Sequence, residues 1–222
     1  MCVDVPRRQS AGQIADLPAA ILRPDGDFRV GRATALSGAS CHATRQCSDR
    51  RIPMSNHALL SSLLHYKAWA NQELFTELQR LDPQHHQVEL HAALRILNHI
   101  YVVERIFVAN LQGVRHDYNA TNTPETPTLE ALHAAVQATD RWYLDYAAGL
   151  SAEQLAERLS FRFVDGDAGC MSREEMLAHI VTHGGYHRGA VGRIMAQLQV
   201  APPRDIYTRF LHQDQPQRRE AS

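Results

Sequence analysis

No stretch of this 222-residue chain comes near the roughly 18 uninterrupted apolar residues of a membrane-spanning helix, so no membrane partner is expected. Cysteine is scarce: four residues are too few for a disulfide scaffold of this length. Aromatic residues make up only 7%, which suits packed helices better than a sheet sandwich. Neither sign of charge dominates. A formal net charge of −1 argues against a protein whose main work is gripping nucleic-acid phosphates. There is no internal repeat and no low-complexity tract. What remains is an ordinary globular mixture, 44% hydrophobic and 21% charged, with enough chain for one good-sized core. Histidine is the anomaly, with thirteen residues.

Residues 1–53 differ from the rest. They carry eight arginines against five aspartates, whereas residues 54–222 carry fifteen basic against nineteen acidic residues. Cys2, Cys41 and Cys47 fall here, and Pro6, Pro18, Pro24 and Pro53 interrupt any helical period. The best apolar stretch, Ile14 to Leu22, contains Asp16 and Pro18 and does not make a signal-peptide core; the aspartates count against a transit peptide. Two readings stay open: a disordered tail, or extraneous sequence upstream of a start at Met54. Under either, residues 1–53 stand outside the fold.

Residues 54–212 read as an all-α domain. A first helix over about 55–80 has an apolar stripe of Leu59, Leu63, Tyr66, Ala70, Leu74 and Leu78, capped by Ser55 or Asn56 and stopped at Asp82-Pro83. A second over about 87–112 puts Ala92, Ile96, His99, Val103, Ile106 and Asn110 on one face and ends at Gly113. After a polar linker comes a third helix, about 128–150, and a short one capped by Ser151. Residues 159–171 form a short hairpin or extended excursion turning at Asp165-Gly166. Ser172 and Glu175 have capping-box spacing for the fourth long helix, about 173–199, and a small helix over about 204–211 follows Pro202-Pro203. Four long helices joined this way predict an antiparallel four-helix bundle, with residues 213–222 as a frayed tail. The linker after Gly113 is long for adjacent antiparallel partners and fits an overhand crossing.

The fourth long helix places His179, His183 and His187 at steps of four. Each step advances about 40° round the helix, so the three lie within about 80° of one face. Imidazoles four apart can converge on one ion. Buried histidines are also often plain hydrogen-bonded core residues. Two features favour the ion. Gly184 and Gly185 sit mid-helix at a cost of about 1 kcal/mol each relative to alanine, a broken local rule of the kind found where a ligand or backbone needs room. His99, on the inward face of the second helix, can supply a third ligand across the interior.

The chain here resembles the DinB/YfiT-like superfamily of metal-binding four-helix bundles. The resemblance covers most of residues 55–212. It rests on Tyr66-Lys67-Ala68-Trp69-Ala70-Asn71, on Asn98-His99-Ile100 followed by Glu104, and above all on His183-Gly184-Gly185-Tyr186-His187-Arg188-Gly189. It implies that His99, His183 and His187 bind a divalent metal, with His179 a neighbour and not a ligand. Phe107 stands where the family often has tryptophan. Three neutral nitrogen ligands leave coordination positions open, the pattern of a catalytic site, and suit Zn, Ni or Fe.

The resemblance further implies an enzyme that activates a low-molecular-weight thiol or a water, as thiol-dependent transferases and isomerases do. The alternative is a non-catalytic bundle in which the metal only holds helices together; a fourth protein ligand would mark it. Glu104, about 140° from His99, is expected near the ligands or on the surface and not among them. Arg188 has two readings, a contact to an acidic cofactor group or a solvent-facing residue. The expected partners are a small-molecule substrate and a second copy in a homodimer, with no nucleic acid, in a cytoplasmic setting. Ligand histidines must be neutral to bind, so acid should displace the metal, and the metal-free protein is expected to lack most of that pH dependence.

Overall fold

The computed structural model of the protein describes residues 56–219. The expectations for residues 1–53 and for a cap at Ser55 or Asn56 lie outside the described side chains. The elements are α1 (Asn56–Leu78), α2 (Gln87–Gln112), α3 (Leu129–Ala148), α4 (Ala152–Ala156), β1 (Arg158–Arg162), β2 (Ala168–Ser172), α5 (Arg173–Gln197), α6 (Tyr207–Asp214) and a 3-10 turn at Pro216–Arg219. Among the described residues the protein is thus mostly helical, with one small two-stranded sheet. Among the described residues, no helix is long and apolar enough to cross a membrane.

Local chemistry sets the boundaries. Asp82 Oδ1 accepts from the Gln84 amide at 2.9 Å, fixing the turn that follows α1. Gly113, at φ 69°, ends α2 in the left-handed conformation. Thr128 caps α3 through the Ala131 amide. Ser151 with Gln154, and Ser172 with Glu175, form reciprocal capping boxes at the starts of α4 and α5. The hairpin pairs antiparallel with Phe161 opposite Gly169 and Leu159 opposite Met171. Its turn places Gly166 at φ 93°, where a side chain would be strained. Leu159, Phe161 and Met171 pack against the core, and the strand residues between them face outward. Past residue 212, α6 continues to Asp214 and the 3-10 turn follows, both mostly exposed.

The four long helices pack pairwise, α1 on α3 and α5, and α2 on α3 and α5. Their buried residues fall into two apolar clusters. One holds Leu60, Leu64, Val103, Phe107, Tyr143, Met176 and Ile180. The other holds Leu74, Phe75, Leu97, Ile100, Leu132, Val136, Val191 and Met195. Along three of the helices, buried polar residues fall between the two, Lys67 and Asn71 on α1, Thr139 and Asp140 on α3, and Arg188 on α5, while on α2 buried Glu104 directly follows Val103.

This polar layer corrects the stripe expected for α1. Leu59 is 43% exposed and Leu63 only partly buried, whereas Ala70, Leu74 and Leu78 are buried as expected; the face turned inward also takes in Leu60, Leu64, Lys67, Asn71 and Phe75. Leucine doublets at 59–60 and 63–64 offer two registers, and counting apolar residues selects the one that avoids Lys67 and Asn71. Helix α2 is also buried over most of its circumference from Leu97 to Leu111, not on one face.

Candidate metal centre

Two helices and one loop build the site. α5 carries His183 and His187 one turn apart, and α2 faces them with His99. One ligand atom from each of His99, His183 and His187 lies within 4.8 Å of the others, a grouping that can hold a metal ion. Ring centroids are 5.0 Å apart for His99–His183, 4.7 Å for His99–His187 and 4.5 Å for His183–His187. Among the described residues no fourth histidine, cysteine or carboxylate joins them. All three are partly buried.

The loop fixes His99. Its Nδ1 donates to the Thr121 carbonyl at 2.8 Å, which leaves Nε2 unprotonated in the neutral ring and directed to His183 Nε2 at 3.2 Å. Thr121 is held in turn. Asn98 Nδ2 donates to Asn122 Oδ1 (2.5 Å) and Thr123 Oγ1 (2.6 Å), Asn122 Nδ2 donates to the Arg95 carbonyl, and Arg95 donates to the Thr123 carbonyl. The segment that reads in the sequence as solvated linker is therefore clamped to α2. Sequence reasoning missed Thr121, and a backbone carbonyl leaves no signal in residue type. Asn98, adjacent to His99, is the only sequence clue.

The electrostatics favour the neutral form of the two α5 rings. Burial, followed by the neighbouring His187, His99 and His179, pushes His183 down from 6.5 to about 3. Burial and His99 lower His187, and burial lowers His179. Deprotonated imidazole nitrogens facing one another at these distances are the donor set a borderline divalent ion takes. His183 Nδ1 is buried without a hydrogen-bond partner, so this ring is short of contacts as it stands. The metal-free expectation changes here: burial and then neighbouring histidines depress His183 and His187 with no ion present, so the protein carries acid sensitivity of its own.

The other sequence candidates fall into place round the cluster. His179 lies tilted against Phe107 (4.8 Å) and stacks on His183 (5.3 Å), outside the triad. Phe107 in turn meets Phe161 of the hairpin at 6.0 Å, giving the site an aromatic flank. Tyr186, 79% exposed, stands edge-on to His187. Cys170 is exposed on β2, away from the triad's ligands.

Arg188 neither faces solvent nor stands free for a ligand. It is 3% exposed, donates to Asp205 from Nε at 2.8 Å, and reaches Asn71 Oδ1 at 3.2 Å. A Cβ at position 184 would stand 3.0 Å from Arg188 Nη1, so Gly184 makes room for this guanidinium and not for a ligand. Glu104 is buried, not at the surface.

Beneath the histidines the polar layer closes on itself. Lys67 Nζ donates to Glu104 Oε2 (2.9 Å) and Asp140 Oδ1 (2.5 Å), and Asn71 Nδ2 bonds the Asp140 carboxylate. Tyr66 donates to Asp205, which completes the chain to Arg188. Burial alone would lower the Lys67 ammonium, but the Glu104 and Asp140 carboxylates outweigh it and raise it. Burial pushes Glu104 up from 4.5 to about 7 against the pull of Lys67, and its Oε1 has no partner. Tyr66, Lys67 and Asn71, which belong to the first-helix motif of the resemblance, thus build the layer and touch no metal ligand.

A mostly helical chain with three convergent histidines across two long helices defines a class of candidate metalloproteins. Comparison with known proteins narrows it. The DinB family model matches residues 54–220, and the chain belongs to the DinB family. Protein DinB of Bacillus subtilis (strain 168) is 23% identical over 167 residues, covering 67% of this chain and 91% of that protein. No solved structure matches.

Proposed function

We propose that this chain is an antiparallel four-helix bundle that holds a divalent metal through His99, His183 and His187 and works as a metal-dependent enzyme on a small-molecule substrate. The reading rests on one observation: three imidazoles converge and no fourth protein ligand joins them among the described residues. Three ligands with open positions fit catalysis better than a closed structural site, which argues against the bundle in which metal only ties helices. A bound divalent ion would supply Lewis acidity and lower the pKa of a thiol or water in the open position.

The residues present do the rest. Thr121 holds His99 in one tautomer through Nδ1. Burial holds His183 neutral over the ordinary pH range. Phe107, backed by Phe161, packs against His179, the neighbour of His183, and gives the site an apolar flank. The co-substrate fitting this site is a low-molecular-weight thiol, and the ion is zinc, nickel or iron. A cytoplasmic setting and a homodimer accompany the reading; light scattering on the purified chain tests the dimer.

The experiment is metal analysis of protein purified without a chelating tag, followed by thiol-transfer assays with metal present and removed. One ion per chain and metal-dependent turnover are expected. A chain that takes up no divalent ion overturns the reading. One ion with no metal-dependent turnover in any assay overturns the enzyme part and leaves the structural alternative.

A further inference from the structure

Away from the histidines, unneutralised positive charge gathers at the C-terminal end of the fold. Arg204, Thr208, Arg209, His212 and Arg219 line a depression of about 450 Å³ formed by the segment before α6, α6 itself and the 3-10 turn. Among the described residues, none of its three arginines is in an ion pair. The carboxylate next in sequence, Asp205, is taken by Arg188 and Tyr66. Arg209 Nε is shut off from solvent with no hydrogen-bond partner. His212 Nδ1 donates to the Thr208 carbonyl at 2.7 Å, which leaves Nε2 as its remaining polar atom.

Composition does not produce this by default. Residues 54–222 carry an acidic excess, yet three arginines here line one depression with no ion pair among the described residues. Like charges so placed repel unless an anion joins them. The planar guanidinium fork matches phosphate oxygens two at a time, and a phosphomonoester brings about −1.5 to −2 charges near neutral pH. The volume is in the range of small-molecule sites and exceeds what a bare ion fills. The geometry points to a second site, independent of the metal, that binds a phosphate-bearing anion through Arg204, Arg209 and Arg219, with Thr208 and His212 as further hydrogen-bonding groups. The phosphate belongs to a soluble small molecule or to a lipid headgroup.

Calorimetric titration of the full chain with pyrophosphate at low salt tests this. Saturable one-to-one binding that weakens as salt is added is expected. Arg204→Gln and Arg219→Gln should each weaken it about tenfold. Both positions are exposed, so these variants should keep the parent melting curve; Arg209→Gln should weaken binding as well, with its fold checked by circular dichroism. Arg162→Gln, on β1, should leave the affinity unchanged. Flotation with phosphatidylcholine vesicles, with and without phosphatidic acid, separates the sources. Pyrophosphate binding without phosphatidic-acid-dependent flotation assigns a soluble ligand; arginine-dependent flotation assigns the headgroup. The proposal is overturned if neither probe binds saturably, or if Arg162→Gln weakens binding as much as the pocket variants.

Discussion

The histidine cluster and the ion layer beneath it grow from the same helices and behave oppositely. His99 and Glu104 stand five residues apart on α2, and His187 and Arg188 are neighbours on α5. The histidines are partly exposed, and His183 Nδ1 lacks a partner. The layer is sealed: Lys67, Asn71, Glu104, Asp140 and Arg188 are each at most 7% exposed and are bonded to one another. A site that can take an ion keeps nitrogens open and reachable. A layer that fixes helix register uses its donors internally, because a buried charge left alone costs far more than the pair gives.

The sharpest test of the difference is to remove one member of each. His183→Ala should abolish stoichiometric metal, read by elemental analysis, while far-ultraviolet circular dichroism stays helical. Retained metal would break the assignment of the triad. Lys67→Met should do the reverse. Metal binding survives in whatever fraction folds, but stability falls by about 3–5 kcal/mol in denaturant unfolding, since Glu104 and Asp140 are left buried without their cation. A loss below about 1 kcal/mol, the scale of an exposed pair, would mean that the layer is wet and the contrast false.

A subtler lever is the clamp on the linker. Asn98→Ala removes two of the hydrogen bonds that hold Asn122 and Thr123, leaving those to Arg95, and so loosens the position of the Thr121 carbonyl on His99. Outer partners of ligand histidines typically contribute 10–100-fold to metal affinity, so a loss of about tenfold is expected in competition titrations. Unchanged affinity would show that the Thr121 contact orients nothing.

A further contrast is in pH, where the two regions have opposite signs. His183 is lowered from 6.5 to about 3 in the folded chain, so below 6.5 the unfolded chain takes up a proton that the folded one refuses. Its contribution is fully present above 6.5 and is lost as pH falls toward 3. Glu104 is raised from 4.5 to about 7, so the folded chain holds the extra proton; its contribution is present below 4.5 and is lost as pH rises through 7. Melting of metal-free protein between pH 4 and 8 should show both limbs. His183→Gln should flatten the acid limb and Glu104→Gln the neutral one; if each variant leaves its own limb in place, the assignment of that limb fails.

Periodicity and caps made most of the helical order legible. Ser172 with Glu175 marks the start of α5, Gly113 the end of α2, and Asp165-Gly166 the hairpin turn, because each depends on one or two local residues. The histidine spacing on α5 was visible for the same reason. What periodicity concealed was the inward register of α1, where Lys67 and Asn71 stand where apolar residues are counted. Their partners, Glu104 and Asp140, lie 37 and 73 residues from Lys67, a separation at which sequence pattern carries no information about pairing. Arg188 was ambiguous on the same ground: its counter-ion, Asp205, lies beyond Pro202-Pro203, past the end of its own helix.

That bond between Arg188 and Asp205 sets where the folding unit can be cut. α6 looks like an appendage, a short helix after a proline break, and shortening the chain at Gln199 would appear to spare every long helix and every histidine of the cluster. It would instead strip the carboxylate from a guanidinium that is 3% exposed in the interior, and take Tyr66's acceptor with it. The C-terminal border of the domain is drawn by a counter-ion and not by the last turn of the last long helix.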